Sequence, residues 1–476
     1  MVNLQIKGYV PPDPMGYGTW EDITPSEGIK HISTERNIDG GDSATIVLSD
    51  DIDFADFESQ RAIQIFLDGT SDPGDLIWEG FMLNPELGVH SPWANSKSYQ
   101  IQCVGYEKFL MRKEITREWT SATFNTIFVD LADEANADMR FPTSKRFMYD
   151  TAKLTNYDSD TYTETLSKAV ENQKIFDVLK EMVPILDGIN TVYAYEYGFY
   201  LDYMQATNAI YLMPTMLNST AAATTSFADA STIHSDSLTV KRNFDKMINF
   251  SKAIGDGYET SPYNAILLSA ADILVPDRSH PFAASGAPTQ RSYIAIEIQN
   301  DDAGNEFGAF EISGFDAIAG NALSETIYFY APFSKTTTIY SYERYADFSG
   351  ATPFTITNMS GATINVYQCD FGIAGKSIQD YGICQEAPRR LDLDTQDKVD
   401  NFAQQKVRLY HKPVHEASFR TLNYNTTDYI NKTVDLTDPY LNATTRYLVT
   451  KQKYIIPENY DVEQWLTAIY RDYDWE

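Results

Sequence analysis

A two-residue alternation of apolar and polar side chains, broken every few residues by turn formers, recurs through most of this sequence and commits it to sheets. In RAIQIFLDGTSDPGDLIWEGFM (61–82) the runs IQIFLDG and DLIWEGFM roughly alternate, and the Asp-Gly and Asp-Pro-Gly clusters between them suit hairpin loops. Alternation sends successive side chains to opposite faces of a strand, so each run offers one face to a core. GIKHISTERNIDGGDSATIVLSD (28–50) and SKSYQIQCVGYEKFLMRKE (96–114) continue the pattern, and Ile23 to Leu110 reads as a small β-barrel or sandwich.

Two stretches change the period. In TYTETLSKAVENQKIFDVLKEMVPILDGIN (161–190), Leu166, Ala169, Val170, Phe176, Leu179, Met182, Val183 and Leu186 fall on one helical face, which predicts a helix opening near Thr163 and stopping at Pro184 and Gly188. In KSIQDYGICQEAPRRLDLDTQDKVDNFAQQKVRLYH (376–411), Asp394 is placed to cap a helix over 395–411. Thr395, Asp397 and Asp400 sit in or near its first turn, and Val399, Phe402, Ala403, Val407 and Tyr410 lie on one side. Arg408 and His411 suit its C-terminal dipole, and Pro413 ends it.

Between these helices TVYAYEYGFYLDYM (191–204) reads as two short aromatic strands across a Tyr-Gly turn, and SLTVKRNFDKMINFSKAIGDG (237–257) as a strand pair carrying Val240, Met247, Ile248 and Phe250. From about Ser261 to Gly375 the texture shifts to Ser, Thr, Ala and Gly with the runs YIAIEIQN, GAFEISGF, ETIYFYAP, TTTIYSYERY, FTITN and TINVYQ, as expected of an inserted β-sandwich. Strands return in YINKTVDLTDPYL, TRYLVTKQKYIIP and VEQWLTAIYRDYDW. The expected fold class is mainly β with some α (α+β).

Composition narrows function. At 476 residues the chain is long enough for roughly three domains of typical size. Its 32 Tyr and 25 Phe favour strands and wide, partly wet contact surfaces. A formal net charge of −30 argues against general affinity for nucleic-acid phosphates or an anionic membrane, although an acidic lining would let a polyanion slide. Adaptation to high salt is the other reading of that charge. Cys103, Cys369 and Cys384 are too few and too scattered for a disulfide framework or a zinc site. The opening MVNLQIKGYVPPDP shows no secretory pattern, and no run approaches the roughly 20 apolar residues that span a bilayer.

The order of these pieces resembles the tail hub (baseplate hub) proteins of long-tailed viruses, bacterial and archaeal. The likeness is carried by LIWEGFM, with its Trp-x-Gly (Trp78, Gly80); by YQIQCVGYEKFLMRKEI, with Tyr106 and Leu110; and by SLTVKRNFDKMINF. It is strongest in Ser377, Ile378, Tyr381 and Gly382, followed by a helix and by TRYLVTKQKYIIPENYDVEQWLTAIYR. It covers residues 1 to about 260 and 376–476, and departs at the insert. The resemblance implies an N-terminal hub β-barrel (1–112), a mixed α/β connecting domain (113–235), strands joining a second barrel (236–260), the inserted sandwich (261–375), a connecting segment (376–414) and a C-terminal hub barrel (415–476). It further implies a homotrimer whose two barrels per chain form a pseudo-sixfold ring at the tail tip of the virion, assembled in the host cytoplasm. Its partners would be a distal tail or tail-tube protein, a central fibre or spike and a tape-measure protein, with viral DNA passing through without specific binding.

No catalytic constellation emerges: there is no Gly-x-Ser-x-Gly elbow, no Walker loop and no papain-like Cys pattern, so no enzyme activity and no cofactor or metal are expected. His411 and His415 are four apart, but Pro413 between them breaks the helical geometry of a metal pair, and a structural role is favoured. Asp392 and Asp394 read as one solvated strand face before the helix. Tyr328, Tyr330, Tyr340, Tyr342 and Tyr345 of the insert are candidates to stack on a host surface glycan or glycoprotein, as part of host attachment and genome ejection, although aromatics at alternating positions more often belong to a core or subunit contact. Asn218, Asn358, Asn425, Asn431 and Asn442 head glycosylation triplets, several of them expected by chance in a Thr-rich chain. The rival readings are a polysaccharide depolymerase, which needs two carboxylates facing one cleft, and an extracellular adhesin, which calls for a signal peptide.

Overall fold

In the computed structural model the described residues run from 3 to 471, apart from 11–18, 50–61, 69–74, 84–85, 92–95, 138–145, 149–164, 184–196, 205–208, 217–224, 228–231, 273–278, 289–290, 302–303, 317–320, 391–392 and the single positions 26, 39, 235, 262, 264, 360 and 370. They are mostly strand, with few helices. The chain divides into two compact units, one built from 1–187, 195–242 and 415–471 and the other running through 243–414.

The first unit is organised by one large sheet. From one edge its order is Thr239–Asn243, Val414–Arg420, Glu463–Tyr470, Ala443–Pro457, Ile29–Asn37, Ser43–Ser49, Ser96–Val104, Leu76–Met82, Ala62–Leu67, Leu4–Val10 and Thr19–Asp22, with three short strands off this path. Strands from the two ends of the sequence are therefore neighbours: Lys451 through Pro457 pair antiparallel with Asn37 through His31. Among the described residues no sheet closes on itself.

This sheet covers two hydrophobic clusters, and the 15-residue strand Ala443–Pro457 serves both. Tyr447 and Val449 pack with Phe227, Phe419, Val434, Leu436 and Leu466, whereas Tyr454 and Ile456 pack with Ile32, Ile46, Ile65, Trp78 and Ile101. The inward positions change from odd to even between the two pairs. The cause is local: opposite Glu463–Tyr470 the register shifts between Val449 and Lys451, so Thr450 is one extra residue and everything beyond it faces the other way.

Near Leu110 the chain forms a buried polar corner. Glu79 is fully buried and receives hydrogen bonds from Tyr106 Oη (2.5 Å) and Gln64 Nε2 (2.9 Å). Next to Tyr106 in sequence, Glu107 is also buried; its Oε1 accepts the Gly41 N–H at 3.0 Å. Gly105 makes room for this, since a Cβ there would lie 2.2 Å from Glu107 Oε2 and 2.7 Å from Asp42 Cβ.

The middle of this unit departs from the sequence expectation. Thr165–Lys174 is a strand, not the first half of a helix, and only Ile175–Met182 is helical. That strand pairs with Glu114–Thr123 along its length, from Lys174 opposite Glu114 to Thr165 opposite Thr123, with Asn172 at φ 50° beside a register shift. The ladder partner lies some fifty residues upstream, outside any local periodicity window. Thr163, Pro184 and Gly188 lie outside the described residues. Tyr197 and Gly198 begin the strand Tyr197–Met204, which pairs with Ala209–Met216; they do not form a turn, and 191–196 lie outside the described residues. A helix not anticipated from the sequence, Phe124–Ala137, buries Phe124, Ile127, Phe128 and Leu131.

In the second unit two antiparallel sheets share one core. The first is ordered Ala265–Asp272, Ala362–Cys369, Tyr293–Asn300, Thr336–Tyr340; the second Ser279–Phe282, Phe354–Thr357, Glu306–Phe315, Ala322–Ala331, with Asp347–Phe348 on Glu306–Phe315. Ile294, Ile296, Ile298, Ile364 and Val366 of one meet Phe310, Ile312, Ile327, Phe329, Phe354 and Ile356 of the other.

After these sheets comes helix Gly375–Tyr381 and then helix Gln396–Tyr410. Thr395, not Asp394, caps the longer helix: its hydroxyl accepts the Lys398 N–H at 3.3 Å, while Asp394 pairs with Lys398 Nζ at 3.0 Å. Val399, Phe402 and Ala403 bury against Ala253 and Leu393. Leu393 is buried and no strand forms there, so the expected solvated strand face before the helix is absent at 393–394; Asp392 lies outside the described residues. The strands Thr239–Asn243 and Phe250–Ser251 do not pair with each other; the first joins the large sheet and the second pairs with Gln385–Glu386.

Candidate functional site

The candidate surface in the second unit is the outer face of the hairpin formed by Glu306–Phe315 and Ala322–Ala331. The two strands pair in unbroken register from Glu306 opposite Ala331 to Phe315 opposite Ala322. In IYFYA the alternation is strict: Ile327, Phe329 and Ala331 enter the core, and Tyr328 and Tyr330 point outward, 80% and 42% exposed. Phe307 stands directly opposite Tyr330, 73% exposed, with ring centroids 4.8 Å apart and planes tilted by 40°. Gly308 beside it lies against the Phe329 ring, which a Cβ would meet at 2.4 Å. Phe333, half exposed in the following turn, has its N–H held by Asn305 Oδ1 at 2.9 Å.

Of the five tyrosines singled out in the sequence, the structure splits the set. Tyr328, Tyr330 and Tyr342 reach solvent, whereas Tyr340 and Tyr345 are buried and are unavailable to a ligand. Tyr340 Oη sits 3.0 Å from Tyr263 Oη. Tyr345 Oη donates to Glu325 Oε1 at 2.8 Å, and Glu325 Oε2 accepts the Tyr342 N–H at 2.7 Å. Burial, and then the neighbouring Glu325 charge, pushes the Tyr345 phenol far up; burial also raises Glu325. This corner ties the strand Ala322–Ala331 to the segment that follows Thr336–Tyr340. Phe307 and Phe333, absent from that set, share the exposed surface; the alternation of GAFEISGF, extended one residue back, puts Phe307 on the outward face.

The motif residues of the hub resemblance are structural. Trp78, Tyr106 and Leu110 are buried, and Gly80 admits no side chain because a Cβ would fall 2.3 Å from the Val104 carbonyl oxygen and 2.4 Å from Trp78 Cη2. Two motifs quoted apart meet at Asn249, which is fully buried. Its Nδ2 donates to Ser377 Oγ (3.2 Å) and to the Gly382 carbonyl (2.7 Å), and its Oδ1 accepts the Cys384 N–H (2.7 Å). Ser377 Oγ in turn donates to the His411 carbonyl, and Gly382 takes φ 80° after the helix. Ile378 is buried, and Tyr381 is part-exposed against Phe244.

His411 and His415 have separate surroundings. His411 Nδ1 lies 2.9 Å from the Arg408 carbonyl, and His415 Nδ1 lies 2.6 Å from Asp438 Oδ2. Burial raises Asp438, but hydrogen bonds from Tyr447, His415 and the Tyr440 and Leu441 N–H groups outweigh it and hold the carboxyl below its usual range. Among the described residues no group of His, Cys, Asp and Glu is arranged to hold a metal ion, and no helix is long and apolar enough to cross a membrane. None of the three cysteines is in a disulfide, and Cys103 and Cys369 are buried. Asn358, Asn431 and Asn442 adopt φ between 50° and 63°, turn positions that asparagine tolerates well; Asn218 lies outside the described residues.

No protein-family model matches the sequence, and no curated protein does. Several solved structures are similar to this chain. The 43 kDa tail protein of prophage MuSo2 from Shewanella oneidensis aligns over 99% of this chain and 100% of its own, with a TM-score of 0.51 and 7% identity. The tail protein from Neisseria meningitidis MC58 aligns over 98% of this chain and 96% of its own, at 7% identity and a TM-score of 0.49. The Francisella PdpA-VgrG complex covers 100% of this chain with 53% of its matched chain, at 8% identity and a TM-score of 0.44.

Proposed function

We propose that this chain is a structural subunit of a viral tail, of the hub type. One observation carries the reading: the fold likeness to the prophage MuSo2 tail protein spans essentially the whole of both chains, so it concerns an architecture and not a common module. The large sheet is consistent with it: among the described residues its path ends at Thr19–Asp22 and Thr239–Asn243, edge strands of the kind a neighbouring subunit covers.

In this reading three copies form a ring at the tail tip that adapts a sixfold tube to a threefold fibre or spike, with hub barrels at 1–112 and 415–476, the connecting domain at 113–235, joining strands at 236–260, a connecting segment at 376–414 and the 261–375 insert carrying the host-facing surface. Tube, spike and tape-measure proteins are its partners. The acidic charge keeps DNA moving through the channel, or reflects a high-salt habitat. The role is mechanical and uses no cofactor. Light scattering on the purified full chain, in low and in molar salt, is expected to give the mass of a trimer, with negative-stain images showing a ring of six similar lobes. A stable monomer in both conditions would overturn the ring.

A further inference from the structure

We propose that the outer face of the Glu306–Phe315/Ala322–Ala331 hairpin binds an uncharged polysaccharide. Four rings, Phe307, Tyr328, Tyr330 and Phe333, stand in solvent within one hairpin and the turn that follows its second strand, a concentration that a solvated sheet face does not need. Tyr328 and Tyr330 are two residues apart on one strand, so their attachment points are about 6.8 Å apart. Phe307 extends the row across the ladder.

The rest of the face selects the occupant. The outward positions beside the rings are Glu311 opposite Thr326 and Ser313 opposite Ser324, with Thr355 and Thr357 on the next strand opposite Glu311 and Ala309. These are hydroxyls and a carboxylate, groups that exchange hydrogen bonds with a polyol. Aromatic faces carry partial negative charge and attract the weakly positive C–H faces of sugar rings. Apart from the rings, the outward residues named above carry hydroxyls, one carboxylate and a methyl, with no Arg, Met or long aliphatic chain among them. None of them is cationic either, and a chain of net charge −30 repels an anionic polymer, so the charge fits a neutral glycan and opposes an acidic one. A flat ladder also suits an extended polymer better than a small ligand, which needs a cleft.

This inference rests on the tail reading for where the surface faces, but not for the binding itself. The test is electrophoresis of the purified full chain through native gels containing dextran, mannan, β-1,3-glucan or hydroxyethylcellulose, with heparin and hyaluronate gels for comparison. Retardation in at least one neutral gel and in neither anionic gel is expected. F307A and Y328A, both at exposed positions that leave the core intact, should each weaken it about ten-fold, with unchanged thermal midpoints. No retardation in any neutral gel, equal retardation of the variants, or preference for the anionic polymers would overturn the proposal. So would variants that bind normally but lose self-association by light scattering, which would make this face a contact between copies. A chain that binds glycan yet stays monomeric sinks only the ring.

Discussion

Glu107 is an acid held where water does not reach it. Its Oε1 accepts the Gly41 N–H at 3.0 Å. Burial, and then the charge of Asp42, pushes its carboxyl from 4.5 up to about 8. The folded chain therefore holds a proton that the unfolded chain has released, and the resulting contribution to stability is full below pH 4.5 and lost as pH rises to about 8. E107Q keeps an acceptor for Gly41 and removes the titration. Thermal melts of the parent should show stability falling between pH 5 and 8.5, and E107Q should flatten that slope and gain a few kcal/mol at pH 8.5. A variant that melts in parallel with the parent across this range would show that Glu107 is ionised in the fold. At this scale the sequence was legible where period two governs: IYFYA separates Tyr328 and Tyr330 from the core. It was not legible at Tyr340 and Tyr345, whose burial depends on Tyr263 and Glu325, partners brought up by other elements.

The strand Ala443–Pro457 tests how far an element can be read by itself. Its inward set changes phase between Val449 and Gln452, visible in YLVTKQKYIIP, yet the phase change has meaning only because one half packs on Phe419 and Leu466 and the other on Ile32 and Ile65. Thr450 is the extra residue that reconciles them. Deleting it should turn Tyr447 and Val449, or Tyr454 and Ile456, away from their cluster, a loss of more than 4 kcal/mol at a few kcal/mol per large side chain. T450A, which keeps the count, should cost less than 1 kcal/mol. Urea denaturation of the two variants decides it: equal midpoints would mean the strand slips without penalty. The mistaken helix at 163–174 has the same root. Spacing of apolar residues describes a segment, whereas its ladder with Glu114–Thr123 describes a pair. The helix at Gln396–Tyr410 was legible because cap, apolar stripe and terminating Pro413 are all local, and even there the capping hydroxyl moved by one residue, to Thr395.

Over the whole molecule the sheet order could not be read from the sequence, because Ile29–Asn37 and Ala443–Pro457 are neighbours separated by most of the chain. Charge, by contrast, is wholly a sequence property. With 67 acidic and 37 basic side chains, 30 acids have no basic counterpart even if every Lys and Arg were paired as Arg36 is with Asp428 or Arg117 with Asp130. The compact state thus concentrates repulsion that the unfolded chain spreads out, and salt should relieve it. The Debye length shortens from about 30 Å at 0.01 M to about 8 Å at 0.15 M, so the thermal midpoint should climb by several degrees over that interval and change little above it. The melts would be run in sodium chloride at pH 7. A flat midpoint from 0.01 to 0.15 M would mean that the acids are already spaced beyond each other's reach in the fold. A climb continuing into molar salt would mark a chain built for concentrated brine, leaving the charge with no separate tie to the proposed DNA channel.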